Sequence, residues 1–253
     1  EPQKALDRLW DVLMELCMVR KDNDPVRDWM AFQKKGRDYA SWLNTHKPVK
    51  LHFFNSTGTD FSVGFNPKAY WVGGMAQNGD GSIDYIPNLP TNEIASSPDK
   101  YTVNGTVHST RPLLYGGKII DRFKLTFENG KVVEVKAEKN EELLRTMIGM
   151  DEGAAYLGEV ALVPYSSPIN QLGFLFYNTL FDENASCHLA LGAGYTNTIS
   201  EYEKYEKEDF ARLGVNDSII HTDFMIGAKD LSVVATLRDG KTAQIFKDGE
   251  WAF

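Results

Sequence analysis

Two side chains that can bind a metal ion stand two residues apart in the segment His221-Thr222-Asp223. Apolar residues, among them Ile219, Ile220 and Phe224, flank this segment and indicate a β-strand. On a strand the side chains of residues i and i+2 point to the same face. An imidazole nitrogen beside a carboxylate oxygen is a donor pair suited to Zn²⁺ or Co²⁺. A single histidine in an apolar strand is more often a hydrogen-bonded core residue, so this pair alone does not identify a metal site.

Further carboxylates and a second histidine occur in similarly apolar surroundings. Glu159 is the one charged residue in the strand-like run 158–164, and Glu93 follows the proline-rich segment 87–92. His188 lies in an apolar run shortly after two acidic residues. A charged group in an apolar strand costs several kcal/mol unless it is paired or bound to a metal. The set therefore predicts that these groups have partners, and a pair of divalent ions would supply them.

Composition limits the class of protein without identifying it. The 253 residues are 42% hydrophobic, which is enough to bury a substantial core, and the formal net charge is −8. This charge argues against nucleic acid or an anionic membrane as a partner, and no apolar stretch reaches transmembrane length. The two cysteines, Cys17 and Cys187, do not form a disulfide framework, and we expect a reduced protein of the cytoplasm. Cys187 is expected to be a small core residue.

The first part of the chain is predicted to be a pair of helices. Apolar residues recur at three- and four-residue steps from Leu6 to Cys17, which indicates one amphipathic helix. Asp24 and Pro25 resemble an N-cap followed by a proline in the first helical position, and they open a second helix that continues to Leu43. Beyond Pro48 the pattern changes to short strands.

The middle and the end of the chain are predicted to be rich in antiparallel strands. Asn104-Gly105 and Asn129-Gly130 are flanked by β-forming residues, and the second pair is expected to join a tight hairpin. The fold class is therefore α+β, with an N-terminal helical pair followed by a largely antiparallel β domain and a few helices. We expect a helical segment at 1–47 and a metal-binding domain at 48–253. The Gly-rich tract 73–81 lacks the features of a nucleotide-binding loop and is expected to be a turn.

Four segments of the chain, in their order and spacing, resemble the thermophilic metallo-aminopeptidases, the family that includes aminopeptidase T, aminopeptidase S and PepS. The resemblance covers essentially the whole chain. The four segments are 87–93 (PNLPTNE), 158–164 (GEVALVP), 184–192 (NASCHLALG) with Tyr195 beyond it, and 221–227 (HTDFMIG).

The resemblance implies a metal-dependent aminopeptidase, a hydrolase that removes amino acids from the free N-terminus of peptides. It implies two divalent ions, with Zn²⁺ or Co²⁺ preferred and Mn²⁺ or Mg²⁺ as alternatives, and a homodimer. Glu93 and Tyr195 are assigned catalytic roles by the same resemblance. The implied metal ligands are Glu93, Glu159, Glu183, His188, His221 and Asp223.

The family also suggests how this chain relates to a longer protein. Its members carry an α/β domain ahead of the part seen here, and we expect the segment 1–47 to be a remnant of such a domain or a link to it. Two other functions stay open. The chain could be a non-catalytic or incomplete, metal-binding and dimerising fragment, or Glu93 and Glu159 could form the carboxylate pair of a glycosidase. The glycosidase alternative leaves His188, His221 and Asp223 without a role.

Overall fold

The computed structural model describes residues 1–74, 76–77 and 84–253, and it begins with the predicted pair of helices, α1 (Pro2–Leu16) and α2 (Pro25–His46). The side chain of Asp24 accepts a hydrogen bond from the backbone N–H of Arg27, and Pro25 occupies the first turn. This is the N-cap that the sequence predicts. Helix α2 ends at Lys47, whose left-handed backbone closes a hydrogen bond to the carbonyl of Leu43.

Short strands and a few short helices make up the rest of the described chain. The strands in chain order are β1 (Lys50–Phe54), β2 (Asp60–Gly64), β3 (Val72–Gly73), β4 (Ala76–Gln77), β5 (Asp84–Tyr85), β6 (Ile94–Ser96), β7 (Asn104–His108), β8 (Leu113–Tyr115), β9 (Lys118–Glu128), β10 (Lys131–Lys139), β11 (Leu157–Leu162), β12 (His188–Gly192), β13 (His221–Met225), β14 (Ser232–Thr236), β15 (Thr242–Lys247) and β16 (Glu250–Trp251). The remaining α-helices are α3 (Glu141–Ile148), α4 (Pro168–Gln171), α5 (Thr179–Asp182) and α6 (Lys207–Arg212).

These strands form two main antiparallel sheets. The larger sheet has the order β10-β9-β7-β2-β1-β14-β15-β16, with β8 paired to β9, and the smaller has the order β13-β12-β11-β6-β3. Strands β4 and β5 pair separately. Every pairing among the described strands is antiparallel, so the predicted α+β class with a largely antiparallel sheet is confirmed.

The main hydrophobic core lies between the two sheets. Phe123 of β9 packs against Phe224 of β13 with 5.4 Å between the ring centroids, which joins the larger sheet to the smaller. Val160 of β11 and Leu189 of β12 are completely buried in the same core. Alternate residues of the smaller sheet therefore face this core, and the residues between them are left for the opposite face.

Of the two turns predicted in the middle of the chain, the hairpin is confirmed and the Gly-rich tract differs. Asn129-Gly130 forms the turn between β9 and β10, with positive φ at both residues as a tight hairpin requires. The Gly-rich tract is predicted to be a turn, but Gly73 ends β3 and Ala76–Gln77 form β4, because their backbones pair with β6 and β5. Residues 75 and 78–81 of the tract lie outside the described residues. Among the helices that the structure describes, none has both the length and the apolar character needed to cross a bilayer.

Candidate metal centre

Three neighbouring strands of the smaller sheet present polar side chains on one face. Ala190 of β12 pairs with Glu159 of β11 on one side and with Asp223 of β13 on the other. Residues directly opposite each other on neighbouring strands share a face. His188 stands two residues before Ala190, and His221 stands two residues before Asp223, so both histidines lie on this face as well. Strand pairing therefore gathers four potential ligands around one alanine.

Two more carboxylates reach this face from outside the paired strands. Glu93 immediately precedes β6, which lies beside β11, and Glu183 begins a 3₁₀ turn that contacts β13. The ligand atoms fall into three overlapping groups, and the atoms of each group lie within 4.8 Å of one another. The groups are Glu93, Glu159 and His188; Glu159, His221 and Asp223; and Glu183, His188 and Asp223. We call these six residues the carboxylate–histidine cluster.

Both histidines of the cluster are oriented by backbone carbonyl groups. Nδ1 of His221 lies 2.7 Å from the carbonyl oxygen of Ala193, and Nδ1 of His188 lies 3.3 Å from that of Ser186. A carbonyl oxygen only accepts hydrogen bonds, so Nδ1 carries the proton in both rings. Histidines that bind a metal through Nε2 are typically held in this way, with the other ring N–H donated to a carbonyl or carboxylate.

The second nitrogen of each ring points at carboxylates. Nε2 of His221 is 3.2 Å from Oε2 of Glu159 and 3.2 Å from Oδ1 of Asp223. Nε2 of His188 is 3.5 Å from Oε2 of Glu93. Because a neutral Nε2 and a carboxylate oxygen both carry lone pairs, each contact needs a positive charge between its two atoms. A proton or a metal ion can supply that charge.

The carboxylates of the cluster are too close together for all of them to stay ionised without a counter-charge. Burial raises the pKa of Glu93 to about 7, and the charges of Glu159 and Asp223 add to this effect. Burial also raises the pKa of Glu183 to about 9, again with help from neighbouring carboxylates. Burial opposes ionisation of Asp223 too, but the hydrogen bond from His221 and the charges of His188 and His221 together outweigh it and lower the pKa of Asp223. The cluster therefore attracts cations strongly.

Tyr195 lies at the solvent-exposed mouth of the cluster. Its Oη is 3.3 Å from Nε2 of His221, and 49% of the residue is exposed. Burial of the phenol and the nearby carboxylates raise the pKa of Tyr195, so the hydroxyl keeps its proton at neutral pH. The backbone N–H of Tyr195 donates to Oγ of Ser97, which fixes the start of this segment against the end of β6. Tyr195 is thus placed to donate a hydrogen bond into the cluster.

Two connected cavities give access to the cluster. A cavity of about 310 Å³ is lined by Glu93, Glu159, Glu183, Tyr195 and His221 together with uncharged side chains. A larger cavity of about 810 Å³ lies beside α2 and shares Glu93 with the first. The remaining residues common to both cavities are Val72, Pro87, Asn88 and Asn197. A ligand in the first cavity can therefore extend into the second.

The donor set fits divalent metal ions on two further observations. Oε2 of Glu93 is buried and makes no hydrogen bond among the described residues, since Nε2 of His188, 3.5 Å away, does not form one with it. An unpaired buried carboxylate oxygen is costly, and a cation would satisfy it. Ala190, the residue between Glu159 and Asp223, is completely buried and has only a methyl side chain, which leaves space between the two carboxylates. Carboxylate oxygen and imidazole nitrogen are ligands that Zn²⁺, Co²⁺ and Mn²⁺ accept.

All six ligands predicted from the sequence lie in this one cluster, and Tyr195 lies at its edge. Cys187 does not reach it. The thiol is buried on the core side, its Sγ donates to the carbonyl oxygen of Val163, and burial raises its pKa to about 12.

Sequence reasoning did not single out the buried side chains of Asn184 and Thr91, which hydrogen-bond to each other beside the cluster. Asn184 stands in one of the four recognised segments, but a lone amide has many structural uses and gives no specific signal.

Comparison with known proteins identifies the family. The family model of the thermophilic metalloproteases (M29) matches residues 1–251. Aminopeptidase AmpS of Bacillus subtilis is 44% identical over 251 residues, and aminopeptidase T of Thermus aquaticus is 38% identical over 249 residues. The solved structure of wild-type AmpT from Thermus thermophilus matches with a TM-score of 0.90 at 36% identity. The chain therefore belongs to the M29 family of thermophilic metalloproteases.

The matches extend over nearly all of this chain but only part of each relative. They cover 99% of the chain for AmpS, 98% for the Thermus aquaticus aminopeptidase and 99% for the solved AmpT structure. The chain spans 60% of the length of each of these relatives.

Proposed function

We propose that this chain carries the catalytic centre of a metal-dependent aminopeptidase that releases N-terminal amino acids from peptides. The observation that carries the proposal is the convergence of six ligand side chains, from separate segments, in the carboxylate–histidine cluster. Membership of a metalloprotease family supports metal-dependent hydrolysis. The aminopeptidase relatives support an exopeptidase acting at a free N-terminus.

Glu93, Glu159, Glu183, His188, His221 and Asp223 would hold two divalent ions, Zn²⁺ or Co²⁺ in preference to Mn²⁺ or Mg²⁺. A pair of such ions would supply Lewis acidity, which polarises a peptide carbonyl. It would also lower the pKa of water, so that hydroxide is available as a nucleophile at neutral pH. We favour Glu159 as the glutamate that both ions would share, because it is the one glutamate of the cluster that belongs to two ligand groups.

The protein's own groups would position the substrate and move protons. Glu93 lies where the two cavities meet, and its carboxylate would accept a proton from the attacking water and pass it to the leaving amine. Tyr195 would donate its hydroxyl proton in a hydrogen bond to the oxygen that becomes negatively charged. The surplus of carboxylates, Glu183 included, would attract the protonated α-amine of the substrate. This attraction explains a requirement for a free N-terminus.

The test is an assay of the purified chain with aminoacyl-p-nitroanilides. We expect hydrolysis that a chelator abolishes and that added Zn²⁺ or Co²⁺ restores. Bound metal without hydrolysis would favour the alternative of a non-catalytic, metal-binding fragment. Chelator-resistant cleavage of p-nitrophenyl glycosides would favour the glycosidase alternative, which leaves His188, His221 and Asp223 unused although they lie in the same cluster as Glu93 and Glu159.

We also propose a homodimer, supported by the apolar side chains that α1 exposes. Leu6, Leu9, Trp10 and Met14 are each more than two-fifths exposed. Apolar patches of this kind usually mark an interface.

The division into a helical segment at 1–47 and a catalytic domain at 48–253 stays a prediction. The cytoplasmic location also stays a prediction.

A further inference from the structure

One buried amide joins the two parts of the cluster that do not belong to the sheet. Glu93 lies at the end of the loop 91–93, and Glu183 lies in the 3₁₀ turn Glu183–Ala185. Oδ1 of Asn184, in that turn, accepts hydrogen bonds from Oγ1 of Thr91 at 3.1 Å and from the backbone N–H of Asn92 at 3.0 Å. The loop and the turn are 90 residues apart in sequence and are held together here by one side chain.

The same side chain is fixed from its other end. Nδ2 of Asn184 donates to the backbone carbonyl oxygen of Leu180 at 3.1 Å. The backbone carbonyl oxygen of Asn184 itself accepts a hydrogen bond from Oγ of Ser167 at 2.6 Å. Asn184 is 1% exposed. The side-chain contacts need a donor and an acceptor on one short side chain, and an amide supplies both. Aspartate would lack the donor, and leucine of similar shape would lack both groups.

Helix α2 supports the loop from the opposite side. Nε2 of Gln33 donates to the carbonyl oxygen of Thr91 at 2.8 Å, and Gln33 is 2% exposed. The loop before Glu93 is therefore fixed through both its backbone and the side chain of Thr91. This matters because like charges in the cluster repel each other, and the scaffold must keep Glu93 and Glu183 each at ligand spacing from the other members of its own group.

We propose that Asn184 is a positioning residue, which sets the separation of Glu93 and Glu183 and thereby the affinity of the cluster for divalent cations. This inference rests on the proposed metal-binding function. Asn184 itself contacts neither substrate nor cation; it acts through the two carboxylates. Losing a partner that orients a metal ligand typically weakens metal affinity by about 10-fold to 100-fold.

The experiment measures the affinity of the purified chain for Co²⁺ by visible absorption, with metal analysis after desalting. Asn184→Ala removes the whole connection, and we expect Co²⁺ binding weakened by about 10-fold to 100-fold. Thr91→Val removes the hydrogen bond to Asn184, and also the 3.5 Å one that Oγ1 accepts from the backbone N–H of Glu93, without changing the shape of the side chain. We expect a loss of about 3-fold to 10-fold. Thr91→Ser keeps the hydroxyl and should restore the wild-type affinity.

Asn216→Ala is the matched control. Asn216 is also a buried amide, 3% exposed, and its Nδ2 donates to the carbonyl oxygens of Gly153 and Gly192. We expect this variant to unfold at a lower temperature and to bind Co²⁺ like the wild type. Equal losses of affinity in Asn184→Ala and Asn216→Ala would overturn the proposal, because the loss would then not depend on the connection between the loop 91–93 and the turn at Asn184.

The Thr91 variants decide the question if Asn184→Ala does not fold. Wild-type affinity in Thr91→Val, or equal losses in Thr91→Val and Thr91→Ser, would overturn the positioning role. A wild-type chain that binds no Co²⁺ would instead overturn the proposed metal centre, and this inference with it. Normal wild-type binding with unaffected Asn184 and Thr91 variants would overturn the positioning role alone.

Discussion

At the scale of single residues, the orientation of the histidine rings is the most specific feature of the cluster. A core histidine that only fills space would satisfy both nitrogens with ordinary donors and acceptors. Here His188 and His221 each donate Nδ1–H to a backbone carbonyl and turn Nε2 towards carboxylates. The backbone thus selects the tautomer that can bind a cation.

Removing a strand ligand should weaken metal binding without unfolding the chain. We expect His221→Ala and Asp223→Ala each to lower metal affinity and peptidase activity by at least about 10-fold to 100-fold, the usual cost of disturbing even an indirect partner. Thr222→Val is the control, because Thr222 lies between them on the strand and points to the opposite face. Metal content, activity and circular dichroism are the measurements. Full activity with normal metal content in either alanine variant would contradict the assignment.

Metal binding should release protons at neutral pH. In the metal-free protein, burial and neighbouring carboxylates raise the pKa of Glu183 to about 9. Burial disfavours the charged form of His221, but the hydrogen bonds that its ring donates to Asp223 and Glu159 raise its pKa to about 11. Both groups are therefore protonated at neutral pH, and a cation must displace these protons. Its affinity should rise with pH and fall on acidification.

Calorimetry can detect this proton release. The heat of Co²⁺ binding should differ between buffers of different protonation enthalpy, and His221→Ala should release fewer protons than the wild type. A heat of binding that is the same in every buffer would show that no proton is displaced.

At the scale of elements, β12 determines the shape of the cluster. Its Ala190 lies opposite both Glu159 and Asp223, so the size of this one side chain limits the space between the two carboxylates. Gly192, also on β12, pairs with His221 and again places no side chain beside a ligand. Small residues at alternate positions of β12 therefore keep the polar face of the sheet open.

A larger side chain at position 190 should fill that space. Ala190→Val adds two methyl groups between the carboxylates, and we expect metal binding to be lost with a destabilisation of about 1–3 kcal/mol from overpacking. Ala235→Val is the matched control, because Ala235 is equally buried but lies in β14 of the larger sheet. Urea denaturation and metal analysis of both variants separate the two effects. Normal metal content in Ala190→Val would mean that the ions do not lie between these strands.

At the scale of the whole molecule, the N-terminal part of the apolar side of α1 is exposed, whereas Leu16 at its C-terminal end packs with Ile169 and Ala185. Trp10 is 54% exposed and Leu6 is 47% exposed, although α1 has the apolar stripe of a packed helix. By contrast, Trp29 and Leu43 of α2 are buried. The sequence pattern of the two helices is similar, and only packing distinguishes them.

The exposed side of α1 should mediate self-association. We expect light scattering to show a dimer for the chain, and Leu9→Glu together with Trp10→Glu to shift it towards the monomer, because a charge in an apolar interface is costly. Val133→Glu, at a residue 53% exposed on β10 of the larger sheet, is the control and should leave the dimer intact. A wild-type chain that is monomeric at all concentrations would contradict the proposed homodimer.

Local signals in the sequence were sufficient for several elements. The N-cap Asp24 followed by Pro25 starts α2 where predicted, and the two-residue period of His221 and Asp223 places both on one face of β13. These features depend on neighbouring residues, so short-range rules describe them.

The two Asn-Gly pairs, Asn129-Gly130 and Asn104-Gly105, show the limit of such rules. The first pair is a hairpin turn, whereas the second begins β7, where Gly105 packs so closely on Asp60 and Phe61 that no side chain would fit.

The sequence by itself determined the α+β class, the helical pair, the family and the six candidate ligands, because short motifs in a fixed order carry that information. Only the tertiary structure decided that those ligands meet. Glu93, Glu159 and Glu183 have no local pattern that relates them, and they converge because β6, β11, β12 and β13 pair and the loop 91–93 docks on the turn at Asn184. Contacts between distant segments depend on packing of the whole core, and a periodic sequence pattern does not encode them. The positioning role proposed for Asn184 follows from those contacts alone.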